Sequence, residues 1–215
     1  VFVSHVQFYD SPDYNPVWVL QDTEMMNRPN ILLQDISLGK YEILDPKSHE
    51  AVEYWNGNYP EFPAQGIAFR PDGGRIYCVT HSLHSTSGEL EVHAGSGAWD
   101  KIGISAGNFN ARIGSLNLDS HVPKSIVPSP DGSKVYIPCS ASNKVLTVDV
   151  TIDSSLVITD ELNVGISPWG CAITPDGTKL YVTNKGSNNV SVINPTTNNV
   201  VDSIQVGTEP WGIAL

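Results

Sequence analysis

Long apolar runs are missing from this chain. No stretch approaches the roughly 18 consecutive apolar residues that a membrane-crossing helix requires, so no membrane span is expected. Basic residues are scarce as well, 12 Lys and Arg against 23 Asp and Glu. The resulting net charge of −11 repels phosphate backbones, which excludes nucleic acid and makes cationic surfaces the natural partners. Cysteine is sparse: Cys78, Cys139 and Cys171 are odd in number, widely spaced and free of any C-x-x-C. That pattern excludes a disulfide framework, a zinc ribbon and attached haem, and Cys78 and Cys171 read as small buried apolar residues of strands. With 40% hydrophobic residues, the 215-residue chain can nevertheless bury a core.

What is present is repetition. Pro168-Trp169-Gly170 returns as Pro210-Trp211-Gly212, a period of 42 residues that suits a four-stranded repeat unit. Within the period, 171–174, 179–183, 190–193 and 200–206 are β-rich runs. Pro175-Asp176-Gly177 lies between the first two, where Pro presets φ, Asp bonds the backbone ahead and Gly accepts the positive φ that closes the turn. Gly186-Ser187-Asn188-Asn189 and the stretch 194–199 supply the other turns.

Leu180-Tyr181-Val182-Thr183-Asn184, followed by Val190-Ser191-Val192-Ile193 and by Val206-Gly207 ahead of Pro210, resembles the YVTN-type β-propeller repeat over 165–215. The resemblance implies an all-β chain of four-stranded antiparallel propeller blades, and it implies little chemistry because propellers host unrelated functions. Few lysines with abundant Asn, Thr, Ser and Gly resemble the secreted members of that family, so an extracytoplasmic location is expected. The chain opens on Val1 rather than Met, which leaves a removed leader open.

Carried along the chain, the repeat assigns Val1-Phe2-Val3-Ser4-His5 to a second strand and 41–46 and 51–55 to a third and fourth. The intervening 6–38 has no counterpart in the repeat and reads as an inserted flap whose apolar residues, Trp18, Leu20, Ile31, Leu32 and Leu33, pack on the propeller or on a partner. Ile67-Ala68-Phe69 opens the next blade and Ile76-Tyr77-Cys78-Val79-Thr80-His81 restates its second strand. From Asp72 to Asp131 is 59 residues and from Asp131 to Asp176 is 45, which puts an insertion at 95–120. Four blades' worth of strands result, ending on Ile213-Ala214-Leu215 as a further first strand. Two readings follow, a closed four-bladed ring or part of a larger propeller, and a first strand that lacks its turn favours the second.

The chemistry is thinner than the architecture. Gly103-Ile104-Ser105-Ala106-Gly107 spells G-x-S-x-G without the strand and helix that a nucleophile elbow needs. Asp72, Asp131 and Asp176 read as turn residues, and Asn189-Val190-Ser191 as a chance glycosylation sequon. Trp169 and Trp211 should share one face near the propeller channel, where they either cover the core or stack on a ligand; with Trp18 they form the expected ligand or partner face. His5, His81, His84 and His121 fall on that same face, with Cys139 as a further candidate ligand, and could hold copper or zinc. His49 belongs to the opposite face and His93 to a third strand. No complete catalytic set is visible and the fold requires no cofactor. The two functions carried forward are a non-catalytic scaffold that docks a protein partner or the remaining blades, and a metal-dependent redox subunit.

Overall fold

The computed structural model describes 65–72, 74–81, 87–93 and 112–215 with their side chains; of the rest, Ala64, Ala94 and the strands β1 (Val17–Gln21), β2 (Ile31–Asp35), β3 (Lys40–Leu44) and β4 (Ala51–Asn56) are described as backbone. The chain divides into two compact units, 1–64 with 82–85, and 65–81 with 86–215.

In the first unit the four strands form one antiparallel sheet in chain order, Leu33 lying opposite both Val19 of β1 and Glu42 of β3. β3 and β4 are the expected third and fourth strands. Their partners correct the sequence reading, because β1 and β2 both lie inside 6–38, the stretch assigned to an inserted flap. Val17-Trp18-Val19-Leu20 and Ile31-Leu32-Leu33 are strand-length runs of β-favouring and aliphatic residues, and their pairing supplies the sheet's first two strands. The second strand of this sheet is β2, and 1–5, the expected second strand, lies outside the described residues.

The second unit holds three further four-stranded sheets, antiparallel wherever a register is defined. The first comprises β5 (Ala64–Phe69), β6 (Arg75–His81), β7 (Gly88–Ala94) and β8 (Arg112–Asn117). β9 (Val127–Pro128), β10 (Lys134–Cys139), β11 (Lys144–Asp149) and β12 (Val157–Asn163) make the second. The last contains β13 (Pro168–Ile173), β14 (Leu180–Asn184), β15 (Asn189–Asn194) and β16 (Asn199–Gln205). β8 falls within 95–120, so part of that expected insertion is the fourth strand of its sheet. The segment 206–215 contains no strand, although 213–215 is expected from the repeat to form a further first strand.

Strand alternation places the core. Along β10, Val135, Ile137 and Cys139 pack with Tyr77, Val79, Leu90 and Val92 of the preceding sheet, while Tyr136 faces Cys171, Leu180, Val182 and Ile193 of the following one. Each such buried aliphatic side chain contributes about 1.5–3 kcal/mol, so the inter-sheet layers dominate the stability of this unit. Arg75 adds a polar tie, donating from Nε and Nη2 to the Asp153 carboxylate at 2.6–2.9 Å. All three cysteines are buried and unpaired with one another; burial pushes the Cys171 thiol up to about 12 and raises Cys139 further.

The turns repeat one design. Asp176 accepts from the Thr174 hydroxyl at 2.5 Å and from the Thr178 amide at 3.0 Å, and Asp131 accepts from Ser129 and Ser133 at the same distances. Those donors, the Thr174 hydroxyl foremost, draw the Asp176 carboxyl down to about 2. Gly132 and Gly177 follow at φ of 70° and 69°, which a side chain would strain.

One polar cluster, buried at Glu91 and His93 and open at Arg112, departs from this apolar packing. On β7, Glu91 contacts His93 Nε2 at 3.0 Å and accepts from Arg112 at 3.2 Å. Burial pushes the Glu91 carboxyl up, but His93 and Arg112 together hold it below its ordinary value. A carboxyl depressed in the folded state stabilises the fold above its unfolded pKa and loses that contribution as pH falls through the folded value. Glu91→Gln is accordingly expected to cost about 1–3 kcal/mol at neutral pH and to flatten the acid limb of stability, measured by urea unfolding across pH.

Candidate functional site

The second unit brings a compact set of side chains together where its first strands begin. Trp169 lies on β13, and Trp211 follows β16. Their ring centroids are 4.7 Å apart with planes tilted by 45°, within the distance range of aromatic contact. Trp211 is 52% exposed. Lys124 Nζ sits 4.8 Å from the Trp169 centroid; Lys185 Nζ sits 5.1 Å from Trp169 and 4.3 Å from Trp211. Two ammonium groups thus bracket a tryptophan pair.

The backbone fixes this arrangement. Thr183, buried on β14, receives a hydrogen bond from the Gly170 amide at 2.8 Å and donates to the Trp211 carbonyl at 2.9 Å. A Cβ on Gly170 would come within 2.5 Å of that carbonyl, so the close approach of the 211 backbone to β13 requires glycine. Lys124 is held by its amide to the Pro138 carbonyl, and its Nζ donates to Gln65 Oε1 at 3.4 Å. The Lys185 amide bonds the Ser167 carbonyl, and that of Gly186 bonds Ile166.

Register explains the convergence. Gln65, Lys124 and Trp169 each stand seven positions before their turn aspartates, Asp72, Asp131 and Asp176, and Trp211 follows Trp169 by one full period. His81, Ser140 and Lys185 likewise stand nine positions after those aspartates, each next to a second strand's buried end. Trp169 and Trp211 were legible as a pair; Lys124 and Lys185 were not, although counting back from each Pro-Asp-Gly turn finds the first of them. Trp18 lies on β1 of the first unit, where its backbone alone is described.

Of the proposed metal ligands, His5 and His84 lie outside the described residues, as do His49 and the Gly103-to-Gly107 motif. His81 ends β6. His121 is engaged by the Ser142 hydroxyl at 2.8 Å from Nδ1 and lies 3.9 Å from Glu161 through Nε2. Cys139 is not on this face: with Thr80 and Asn184, its equivalents, it is buried, because the strand pleat turns that position into the sheets and the next one outward. Among the described residues no three His, Cys, Asp or Glu side chains are grouped to hold a metal. His93 lies on the third strand as expected. The Asn189 amide of the sequon bonds Asn184 and Ser203, and so belongs to the ladder of the last sheet.

Electrostatically the tryptophan pair carries two neighbouring ammonium groups. Lys124 is pushed below its ordinary value, first by burial and then by the charge of Lys185. The ring of Trp169 offsets part of that cost, since a cation over an aromatic face gains about 0.5–1 kcal/mol at exposed sites. An anion placed between the ammonium groups would relieve their repulsion.

Solved structures resemble the fold. A functionally unknown protein from Desulfotomaculum acetoxidans superimposes on 86% of this chain and 56% of its own at 17% identity, with a TM-score of 0.68. The β-propeller domain of Cps50 (Swd1) from Myceliophteria thermophila does so over 84% and 52% at 10% identity and 0.63. The sheets are propeller blades. A Bacteroides fragilis protein named as a candidate 6-phosphogluconolactonase matches 99% of this chain and 60% of its own, at 15% identity and 0.63. The propeller chain thus spans a little over half the length of each of these structures, and identities this low carry the fold alone. No family model and no curated protein matches the sequence.

Gly170→Ala tests the backbone construction of the face. The added methyl is expected to push the 211 carbonyl off Thr183, separate the tryptophans and cost about 1–3 kcal/mol, read as lost near-ultraviolet dichroism and a lower urea midpoint. Retention of the native near-ultraviolet signal would show that the close approach does not hold the pair.

Proposed function

We propose that this propeller is a non-catalytic docking module of the YVTN repeat type, acting outside the cytoplasm, and that its working face is the one built around Trp169 and Trp211. The observation that carries the reading is the contacting, tilted tryptophan pair, its Trp211 half-exposed, flanked by lysines. Exposed, rigid aromatic area with cationic neighbours is the composition of binding hot spots, because Trp offers large contact area at low entropic cost. The groups nearest the pair are amines, an amide and a hydroxyl, which bind and orient. The low lysine content among abundant Asn, Thr, Ser and Gly supports the extracytoplasmic placement.

The test is a Trp169→Ala, Trp211→Ala double variant compared with the parent for proteins that co-purify, each identified by mass spectrometry and reconstituted from purified components. A reconstituted partner should bind the variant at least about tenfold more weakly, the loss typical of removing central aromatic anchors, with the far-ultraviolet dichroism unchanged. Equal affinity for parent and variant would place docking on another surface.

A further inference from the structure

Lys124 and Lys185 are set apart from the other described lysines by lying against a tryptophan pair, not by lacking an ion pair among the described residues, which Lys134 and Lys179 lack as well. Each described arginine has a carboxylate partner: Arg70 pairs with Asp72, Arg75 with Asp153, and Arg112 with Glu89 and Glu91. Lys144 has Glu161. Among the described residues neither Lys124 nor Lys185 has a carboxylate within ion-pair distance, although acidic residues outnumber basic ones by about two to one in the sequence. Both amines lie instead near 5 Å from one indole, close enough for the charge of one to disfavour the charge of the other. Two mutually repelling, partly desolvated cations without an internal counter-charge form a site poised for an external anion.

The surroundings narrow the class of anion. Beside the lysines lie two exposed apolar surfaces, Trp211 at 52% and Ile166 at 60%, the latter joined to the Lys185 segment through the Gly186 amide. A small dianion would neutralise the lysines and leave both surfaces in water. A polyanion such as nucleic acid would meet the −11 field of the rest of the chain. A short peptide carrying carboxylates and apolar side chains satisfies the cations and covers Trp211 and Ile166 together. We propose that the face formed by Lys124, Trp169, Lys185, Trp211 and Ile166 recognises an acidic, apolar-studded peptide segment of a protein partner. The inference rests on the docking reading above and names what is docked.

The probe is a fluorescein-labelled peptide of interspersed Glu and Leu, titrated with the full chain and followed by fluorescence anisotropy. Its Gln-for-Glu analogue serves as the control and glutarate as a competitor. The parent should bind the acidic peptide, with affinity falling as salt is raised, and should bind the Gln analogue at least about tenfold more weakly. Lys124→Gln with Lys185→Gln should abolish the preference for Glu, while Ile166→Ser should weaken the peptide without changing glutarate binding. All three positions are at least partly exposed, so the fold should survive, which far-ultraviolet dichroism checks. Absence of peptide binding at low salt, or binding that the lysine substitutions leave unchanged, overturns the proposal. Glutarate displacing the peptide at equal concentration also overturns it, in favour of a small-anion site. If the acidic peptide fails while a reconstituted partner still depends on Trp169 and Trp211, docking stands and the acidic class falls. If that dependence is absent too, both readings fall.

Discussion

β10 is apolar on both of its faces, and the second unit follows from that constraint. Val135, Ile137 and Cys139 need a sheet on one side and Tyr136 needs one on the other, so a single sheet cannot satisfy this strand. Stacked sheets can, and stacking buries the strand through the pleat's period of two without any helix. Repeats are the economical way to build such stacks, since each unit presents to the next the surface that the previous one presented to it. The face carrying the tryptophans is a by-product of that register: positions equivalent under the repeat converge at one end of the first strands, and Gln65, Lys124, Trp169 and Trp211 come to lie as neighbours there.

The sequence made the later repeats legible and the first one much less so. Pro-Asp-Gly turns and the Leu180-to-Asn184 run carry strong local chemistry, so β10 through β16 lie where spacing put them. The first sheet has no such turn, and Val17-Trp18-Val19-Leu20 with Ile31-Leu32-Leu33 read as an apolar insertion although both runs are strands. Spacing signals a blade only when its turns obey the consensus; composition has to decide the rest. The same distinction governs the site. Trp169 and Trp211 repeat within identical tripeptides and were found, whereas Lys124 and Lys185 occupy different repeat positions in different repeats and meet only through packing. Cys139 was misplaced because equivalence under the repeat shows which residues share a level along the axis, and the pleat alone shows which way each points.

The polar devices divide by purpose. The turn aspartates are local: each draws donors from within two residues and fixes a chain reversal. Glu91, buried on β7 and held by His93 and by the partly exposed Arg112, forms with them a set whose balance shifts as the carboxyl is protonated. The two lysines near Trp169 belong to neither group, because their neighbours within the fold are an aromatic pair and an amide oxygen.

β16 has a colloidal consequence. It ends its sheet, and all seven of its residues are exposed, Val200, Val201 and Ile204 among them. Such a margin is a template on which another extended segment can crystallise, one rung of hydrogen bonds at a time. Between identical molecules that growth is opposed chiefly by the mutual repulsion of chains carrying −11 each. Salt screens this repulsion beyond about 10 Å at 0.1 M, so raising the ionic strength brings these margins closer together in a concentrated solution.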